Sequence, residues 1–315
     1  NRAEVLFIYC RQKSHKRYSK RLYFEQGRLL SRLEKKMKTA VGSVIFEEAS
    51  KYLGDFFESL ETQTDQDFSV ILINDNISSE HLENIIAGVS PGLKDRLYIG
   101  NRNGKKLSPG MLRVELLQEA FSLKTDLLIM MDCDDKASEN RVSCIKEQFD
   151  PVYTFFYNEL LDFDGKSVMK QLPAYTLDYR DIGQSNYLGM SNGAIYLKGI
   201  SQEFIESLRE GETRIFDWYL YSRLLLAEKK GKKIAGCCTY YRIYEANLAG
   251  KCEYSKQAIE KEIAIKREHY RLLAPYATYY KNMLEIYSSA CAEDFKGKET
   301  TGYWWSLTDI QSDEE

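Results

Sequence analysis

The sequence predicts an α/β fold whose first half forms a doubly wound, parallel sheet. Over residues 41–131, short apolar runs typical of strands alternate with segments that repeat apolar residues at helical spacing. Two of the apolar runs, residues 68–73 and 127–131, are continuous, which is typical of strands buried on both faces. Because crossovers between parallel strands are right-handed, the carboxyl ends of all four strands meet at one edge, where ligands bind in such sheets.

The pattern assigns elements along most of the chain. Strands are predicted at residues 41–46, 68–73, 96–99, 127–131, 152–157 and 237–244. Helices are predicted at residues 50–61, 79–87, 109–121, 202–209, 217–228, 253–273 and 276–289. In the long charged helix at 253–273, the predicted buried face consists of Ile259, Ile263, Tyr270 and Leu273.

Charge is distributed unevenly along the chain. The 315 residues include 44 Lys+Arg and 47 Asp+Glu, yet residues 1–40 alone have a balance of +9 and the remainder −12. The sequence therefore predicts a basic extension on an acidic body. The extension is either a solvated or non-native segment, or a surface that contacts anionic lipid at the inner face of a membrane. We expect no nucleic-acid partner.

Composition excludes several classes of protein. Apolar residues make up 43% of the chain, which excludes wholesale disorder, and the longest strongly apolar run is 127–131, whereas a spanning helix needs about 20 residues. The first residues show no apolar stretch of signal-peptide length. Seven cysteines, an odd number without a C-x-x-C pair, favour reduced thiols and a cytoplasmic location over a disulfide scaffold or a zinc site.

Three carboxylates follow the strand predicted at 127–131, as Asp132, Asp134 and Asp135. Leaving them together at the end of a buried strand is costly unless a cation neutralises them. Hard carboxylate oxygens are ligands for Mg²⁺ or Mn²⁺, particularly for an ion that also binds phosphate. A calcium EF-hand is excluded, because Ala137 and Ser143 occupy the positions of its glycine and glutamate. The alternative is a solvated acidic turn or a helix N-cap.

Two further acidic positions have both a structural and a functional interpretation. Asp75, flanked by Asn74 and Asn76, is either part of an ordinary turn or an acceptor for a nucleotide base or ribose. Asp217 lies among three aromatic residues, where desolvation raises the pKa of a carboxyl towards that of a general base. It is equally suited to cap the helix predicted from residue 217.

Other catalytic motifs are absent from the sequence. Residues 100–106 have a glycine spacing one residue too short for a P-loop, and Lys106 replaces the Ser or Thr that would bind Mg²⁺. There is no G-x-G-x-x-G, H-E-x-x-H or G-x-S-x-G motif. The three histidines, His15, His81 and His269, are distant in sequence from the acidic motifs, so catalysis by a histidine dyad or triad is not expected.

Five ordered blocks resemble one family. SVIFEEASKYLGDFFESLETQTDQDFSVILINDN at 43–76 resembles the start of GT-A-fold glycosyltransferases of the family-2 type, and DCDDKASENRV at 132–142 resembles their metal motif. YLGMSNGAIY at 187–196, FDWYLYSRLLL at 216–226 and TYYRIYEANLAG at 239–250 are similar to the acceptor half of rhamnosyltransferase-like members. The resemblance covers residues 42–250, about two thirds of the chain.

The resemblance implies metal-dependent transfer of a sugar from a nucleotide diphospho-sugar to a glycan or lipid-linked glycan hydroxyl, with inversion at the anomeric carbon. Asp217 would be the catalytic base, and Asp132 and Asp134 would hold Mg²⁺ or Mn²⁺. The implied donor-binding residues are Phe46, Glu47, Asp75, Arg113, Asp132 and Arg242, and those on the acceptor side are Asn192, Gly193 and Trp218. In-line displacement agrees with this division, because it places the base across the sugar from the metal.

The sequence departs from the family pattern at two places. Many relatives have Y-R-x-H where this chain has Tyr241-Arg242-Ile243-Tyr244, so a poor neutral ligand replaces a histidine that can bind the metal. Either Asp134, phosphates and water hold the ion, or binding is weaker, and Arg242 would assist at the diphosphate. The first nucleotide loop has Phe-Glu-Glu at 46–48 in place of the commoner Pro-x-Tyr-Asn, which leaves the base preference open.

The predicted organisation is a basic extension at 1–40, a GT-A catalytic domain at 41–250 and C-terminal helices with a tail at 251–315. Within the catalytic domain, residues 41–135 form the nucleotide half and 136–250 the acceptor half. The tail from Ala292 is polar apart from 303–305. Two alternatives remain: a nucleotidyltransferase, which releases pyrophosphate, and a non-catalytic relative that retains a sugar-nucleotide pocket.

Overall fold

The computed structural model describes residues 37–101, 106–244, 255–295 and 300–310. The chain divides into two units, residues 1–38 and 39–315, and the elements given below belong to the second. The predicted basic extension, with its predicted lipid contact, falls almost wholly outside the described residues. No helix in the described part of the chain is both long enough and apolar enough to cross a bilayer.

The described residues form one mixed sheet of nine strands. The strands are β1 (Thr39–Phe46), β2 (Ser69–Asp75), β3 (Leu97–Asn101), β4 (Leu127–Met130), β5 (Lys136–Ala137), β6 (Phe155–Leu161), β7 (Tyr175–Thr176), β8 (Gly193–Tyr196) and β9 (Gly231–Tyr240). Their order is β3–β2–β1–β4–β8–β6–β9–β5, and β7 pairs with β9.

Helices cover the sheet and extend the chain beyond it. They are α1 (Leu53–Glu61), α2 (Ser79–Ala87), α3 (Pro91–Lys94), α4 (Pro109–Ser122), α5 (Arg141–Glu147), α6 (Gln202–Ser207), α7 (Phe216–Leu226), α8 (Lys256–Leu273) and α9 (Thr278–Ser289). Short 3-10 turns lie at Glu47–Tyr52, Tyr179–Ile182, Leu197–Gly199, Leu208–Glu210 and Ala292–Phe295.

The predicted doubly wound half is confirmed. β1 pairs in parallel with both β2 and β4, and β2 pairs in parallel with β3. Helix α4 packs against β1 and β2, and Gly42 leaves room for it, since a Cβ there would lie 3.0 Å from the Leu116 side chain of α4. Phe46 pairs with Asp75 at the ends of β1 and β2, and Asp132 follows β4 by two residues. Both acidic segments therefore lie at the carboxyl edge of the sheet.

The second half of the sheet differs from the prediction. The sequence does not predict β8, because its four residues are too short to establish a period, yet β8 pairs antiparallel with both β4 and β6. The strand expected at 152–157 is found at Phe155–Leu161, and the strand expected at 237–244 is found at Gly231–Tyr240. Lys232 and Lys233 obscure the start of β9, although Lys233 forms an ion pair with Glu159 of the neighbouring strand β6.

Helices α8 and α9 pack against each other, and α8 also contacts α7. The predicted buried face of α8 is confirmed, since Ile259, Ile263, Tyr270 and Leu273 are all buried. From this face, the Tyr270 ring contacts the Trp218 ring of α7. The first residues of the predicted helix, 253 and 254, lie outside the described residues.

A buried charged network joins α8 to residues 300–310. The ammonium of Lys266 is fully buried and lies 2.8 Å from an Asp309 carboxylate oxygen and 3.7 Å from Glu262. Glu262 in turn accepts hydrogen bonds from the backbone and the hydroxyl of Thr308, at 2.8 and 2.7 Å. Burial lowers the pKa of Lys266, and the two carboxylates oppose that effect. The network ties the end of the chain to the body of the protein.

Removing the cation should destabilise the fold strongly. Lys266→Met leaves the buried Glu262 and the partly buried Asp309 without this counter-ion, and breaking a buried pair in this way costs about 3–5 kcal/mol of unfolding free energy. Urea unfolding measures that loss. Lys281→Met, at an exposed position on α9, is the matched control and should change stability by less than about 0.5 kcal/mol. Equal stability of the two variants would contradict the structural role of Lys266.

Candidate active site

A pocket of about 450 Å³ opens at the carboxyl edge of β1, β2 and β4. It contains most of the residues that the sequence singled out, together with several that it did not. Its lining includes Val44, Phe46, Glu48, Asp75, Arg113, Asp132, Asp134, Ser191, Arg214, Asp217, Tyr241, Arg242, Tyr244, Trp304 and Trp305. In the part of the chain that the structure describes, the predicted donor, metal and base residues, Glu47 apart, thus line one cavity.

The acidic turn after β4 is held by Ser191, which lies just before β8. The Asp132 backbone N–H donates to the Ser191 hydroxyl at 3.0 Å, and this hydroxyl donates to the carboxylates of Asp132 and Asp135. Asp135 is buried and also accepts from the Arg242 backbone N–H at 2.8 Å. Burial, with the charges of Asp134 and Asp132, raises the pKa of Asp135 well above its usual range. Asp135 therefore fixes the turn, while Asp132 and Asp134 face the cavity.

Arg113, on the first turns of α4, forms an ion pair with Asp132 and interacts electrostatically with Asp217. Its guanidinium lies 3.2 Å from an Asp132 carboxylate oxygen. Burial lowers the pKa of Arg113, but the charges of Asp132 and Asp217 outweigh that effect and raise it. Arg113 therefore remains cationic within reach of both acids.

Asp217 is the second residue of α7 and lines the pocket. It is not the N-cap, which is Ile215, but its side chain accepts a hydrogen bond from the Trp218 backbone N–H at 2.9 Å. Burial raises the pKa of Asp217, although the Arg113 charge and the Trp218 N–H lower it. The carboxylate thus combines a bond within its own helix with a position facing the cavity.

Tyr244 occupies the position at which the family that the sequence resembles often has histidine, and its hydroxyl donates to an Asp134 carboxylate oxygen at 2.7 Å. Arg242 supports the same turn from below, since its Nε donates to the Asp134 carbonyl at 2.8 Å and its terminal nitrogen pairs with Asp55. The guanidinium also lies 4.2 Å from the Tyr52 ring centroid. Arg242 therefore shapes the acidic turn as well as lining the pocket.

The carboxylates offer part of a metal shell. No cluster of three histidine, cysteine, aspartate or glutamate side chains in the described ranges is arranged to hold an ion. Burial and repulsion from the nearby Asp132 raise the pKa of Asp134, although the Tyr244 hydroxyl and the charge of Arg242 lower it. A divalent cation would relieve that repulsion. The residues fit an ion whose remaining ligands come from phosphate oxygens and water.

Four predicted site residues do not line the cavity. Glu47 is solvent-exposed and pairs with His81 at 3.0 Å, while its neighbour Glu48 takes the position in the lining. Trp218 is buried, donates from its indole nitrogen to the Ile182 carbonyl at 2.6 Å and stacks on His269.

Asn192 and Gly193 support the pocket from beneath. The Asn192 side chain accepts from the Gly189 N–H at 2.7 Å and donates to the Tyr187 carbonyl at 3.0 Å. A Cβ on Gly193 would lie 1.9 Å from the Tyr221 hydroxyl, so the position needs glycine for packing. In this structure their contribution to an acceptor side is indirect, through the loop that carries Gly189 and Ser191.

Sequence reasoning assigned no site role to several residues of the lining, among them Ser191, Arg214, Tyr241, Trp304 and Trp305. Ser191 and Tyr241 lie within blocks that resemble the family, but neither residue type has a chemical signature of its own. The tryptophan pair had a signal, because two adjacent indoles in a polar tail need a place to pack.

Solved structures resemble this chain across most of its length. S. aureus TarS 1-349 in complex with UDP-GlcNAc matches with a TM-score of 0.52 and 14% identity, over 78% of this chain and 73% of that one. The same fragment in complex with UDP matches with a TM-score of 0.53 and 12% identity, over 80% of this chain and 71% of that one. A longer S. aureus TarS chain matches with a TM-score of 0.53 and 14% identity, over 83% of this chain but only 46% of its own length.

Comparisons with protein-family models and with curated proteins give no match. The structural likeness, at 12–14% identity, therefore shows the fold. The chain has the GT-A glycosyltransferase fold, and the fold predicted from the sequence blocks is confirmed.

Proposed function

We propose that this protein transfers a sugar from a nucleotide diphospho-sugar to a hydroxyl of a glycan or lipid-linked glycan, with inversion at the anomeric carbon. The observation that carries the proposal is the convergence of Asp132, Arg113 and Asp217 in one pocket of a GT-A fold. A pair of acids joined by one cation provides both a donor anchor and a proton acceptor.

The order of the strands gives the pocket a direction. Asp75 and Phe46 end β2 and β1, Asp132 follows β4, and Ser191 precedes β8, in the same order as the strands. The nucleoside lies against Asp75 and Phe46, and the diphosphate lies at Asp132. The transferred sugar then extends towards Ser191 and Asp217.

In the reaction, Asp217 accepts the proton of the acceptor hydroxyl as that oxygen attacks the anomeric carbon. Arg113, which is ion-paired with Asp132, contacts the donor beside that residue. Its positive charge also favours the ionised form of Asp217. Asp134, with Asp132, would hold Mg²⁺ or Mn²⁺, which supplies Lewis-acid stabilisation of the departing diphosphate. Arg242 and Tyr244 keep Asp134 oriented towards the pocket.

A thermal-shift screen tests donor binding. A panel of uridine, guanosine and thymidine diphospho-sugars with Mn²⁺ is compared with the matching nucleosides and free sugars. A nucleotide sugar at 100 times its Kd should stabilise the protein by about 2.7 kcal/mol, whereas the nucleosides and free sugars should have little effect. If no nucleotide sugar raises Tm above its controls, the proposal is wrong.

The second candidate is a non-catalytic relative, and one observation favours it. The Tyr244 hydroxyl occupies an Asp134 oxygen, and tyrosine is a poor neutral ligand for the metal. Such a protein would bind a nucleotide sugar and release no nucleoside diphosphate. A nucleotidyltransferase would release pyrophosphate, and no contact in the pocket favours it.

A further inference from the structure

Residues 300–310 contribute an aromatic wall to the pocket. Trp304 and Trp305 both line the cavity and are only 8% and 9% exposed. Neither has a role in the donor, metal or base chemistry described above. Both indoles are largely packed into the core, and their exposed parts add rigid aromatic surface to a lining that also contains polar residues, an arrangement typical of a small-molecule subsite.

The wall lies at the end of the pocket opposite the nucleoside. The Trp304 backbone exchanges two hydrogen bonds of 2.9 Å with Asn186, and its ring packs on Gly189, where a Cβ would lie 2.7 Å away. Asn186 and Gly189 belong to the segment that leads into β8. β8 and β1 flank β4 on opposite sides. The segment that carries Trp304 therefore lies on one side of Asp132, and Phe46 and Asp75 lie on the other.

The wall is held in place from both sides. The Tyr303 hydroxyl donates to the Gln171 carbonyl at 2.9 Å, and Asp309 pairs with buried Lys266 at 2.8 Å. Between these anchors Trp305 has a φ of +64°, a left-handed conformation that a bulky residue rarely adopts. Such strain persists only where the surroundings over-determine it, and it clusters at ligand clamps.

We propose, resting on the proposed function, that Trp304 and Trp305 form the acceptor subsite and that a pyranose ring of the acceptor stacks against them. One face of a pyranose presents C–H groups, which complement the electron-rich face of an indole, while its hydroxyls remain free for polar partners. Arg214 and Tyr241 line the same cavity and supply those partners. The acceptor is therefore a carbohydrate rather than a simple alcohol or a protein hydroxyl, with one hydroxyl directed to Asp217.

Saturation-transfer NMR on the full chain tests this subsite without knowledge of the donor. The probes are methyl glycosides of common hexoses and 6-deoxyhexoses, with n-butanol as the non-carbohydrate control, in the presence of UDP and Mn²⁺. We expect transfer to the C–H protons of one ring face in at least one glycoside, and none to butanol.

Trp305→Asn is the decisive variant, because asparagine tolerates the left-handed conformation and removes the indole. It should weaken glycoside affinity about tenfold, whereas Trp305→Phe, which retains a stacking surface, should lose less than about threefold. Urea unfolding checks that both variants are folded. An undiminished signal in folded Trp305→Asn, or no signal from any glycoside with the wild type, would overturn the subsite.

Failure of the subsite and failure of the proposed function give different results. Glycoside binding that depends on Trp305, without nucleoside diphosphate release from any nucleotide sugar, would retain the subsite and contradict transferase activity. If nucleoside diphosphate is released but glycoside binding is unaffected by Trp305→Asn, the transferase activity is supported and the subsite is contradicted.

Discussion

Replacing Asp217 by asparagine should lower kcat by about 10²–10⁴-fold while the affinity for the nucleotide sugar stays nearly unchanged. Asparagine still accepts the hydrogen bond that the Trp218 N–H donates to residue 217, so the start of α7 is preserved. What is lost is the proton acceptor for the attacking hydroxyl, and loss of a positioned base typically has that cost. Steady-state kinetics with a donor identified by thermal shift, together with donor titration, measures both quantities.

Two other acids are matched controls for Asp217. Asp181 accepts from the Leu177 and Asp178 backbone N–H groups, and Glu159 pairs with Lys233, and neither lines the pocket. Asp181→Asn and Glu159→Gln should therefore leave kcat within a few fold. Near-normal turnover of Asp217→Asn would show that the residue is not the base and only accepts the Trp218 N–H at the start of α7.

The pH dependence of kcat offers an independent check on Asp217. A general base works only when ionised, and burial raises the pKa of this carboxyl. Turnover should therefore be present at high pH and fall as pH drops through that raised pKa, at a higher pH than for an ordinary aspartate. If the residual kcat of Asp217→Asn falls at the same low pH as that of the wild type, the fall is caused by another group.

Replacing Asp134 by alanine should abolish the dependence of donor binding on Mn²⁺. The change removes one of the two carboxylates proposed to hold the ion, and the loss should exceed the ~10–100-fold drop seen when a supporting residue is mutated. Donor titration with and without Mn²⁺ measures it, and Tm should not fall, because the variant also relieves repulsion with Asp132.

Tyr244→Phe is the matched control for Asp134→Ala. It removes the hydroxyl that donates to Asp134 and leaves the carboxylate in place. Metal dependence should persist in this variant. If Asp134→Ala keeps the Mn²⁺ dependence of the wild type, the metal role assigned to Asp134 is wrong.

The parallel half of the sheet, predicted as the nucleotide half, was predictable because its signals are local. Continuous apolar runs such as 127–131 define buried parallel strands, and right-handed connections then bring Asp75 and Asp132 to one edge. The acidic turn could be recognised because clustered carboxylates need a cation. The structure confirms the parallel pairing of β1 to β4, and it places Phe46, Arg113 and Asp217 in the pocket lining.

The acceptor half depends on contacts between distant parts of the chain. Trp304 reaches the pocket through backbone bonds to Asn186, a residue more than 100 positions away, and no periodicity reveals such a pairing. Trp218 and Gly193 were predicted at the site from family blocks, but α7 and β8 direct them into the core. Glu47 and Glu48 cannot be told apart in sequence, and the 3-10 turn that follows β1 decides which of them lines the cavity.

Product analysis tests the central claim most directly. The wild-type chain is incubated with Mn²⁺, a nucleotide diphospho-sugar that stabilises it, and a glycoside that binds it. Proton NMR then follows the anomeric signals. The proposed function predicts stoichiometric release of nucleoside diphosphate and a new glycosidic linkage of opposite anomeric configuration to the donor. Bound donor without turnover, release of pyrophosphate, or a product with retained configuration would contradict it.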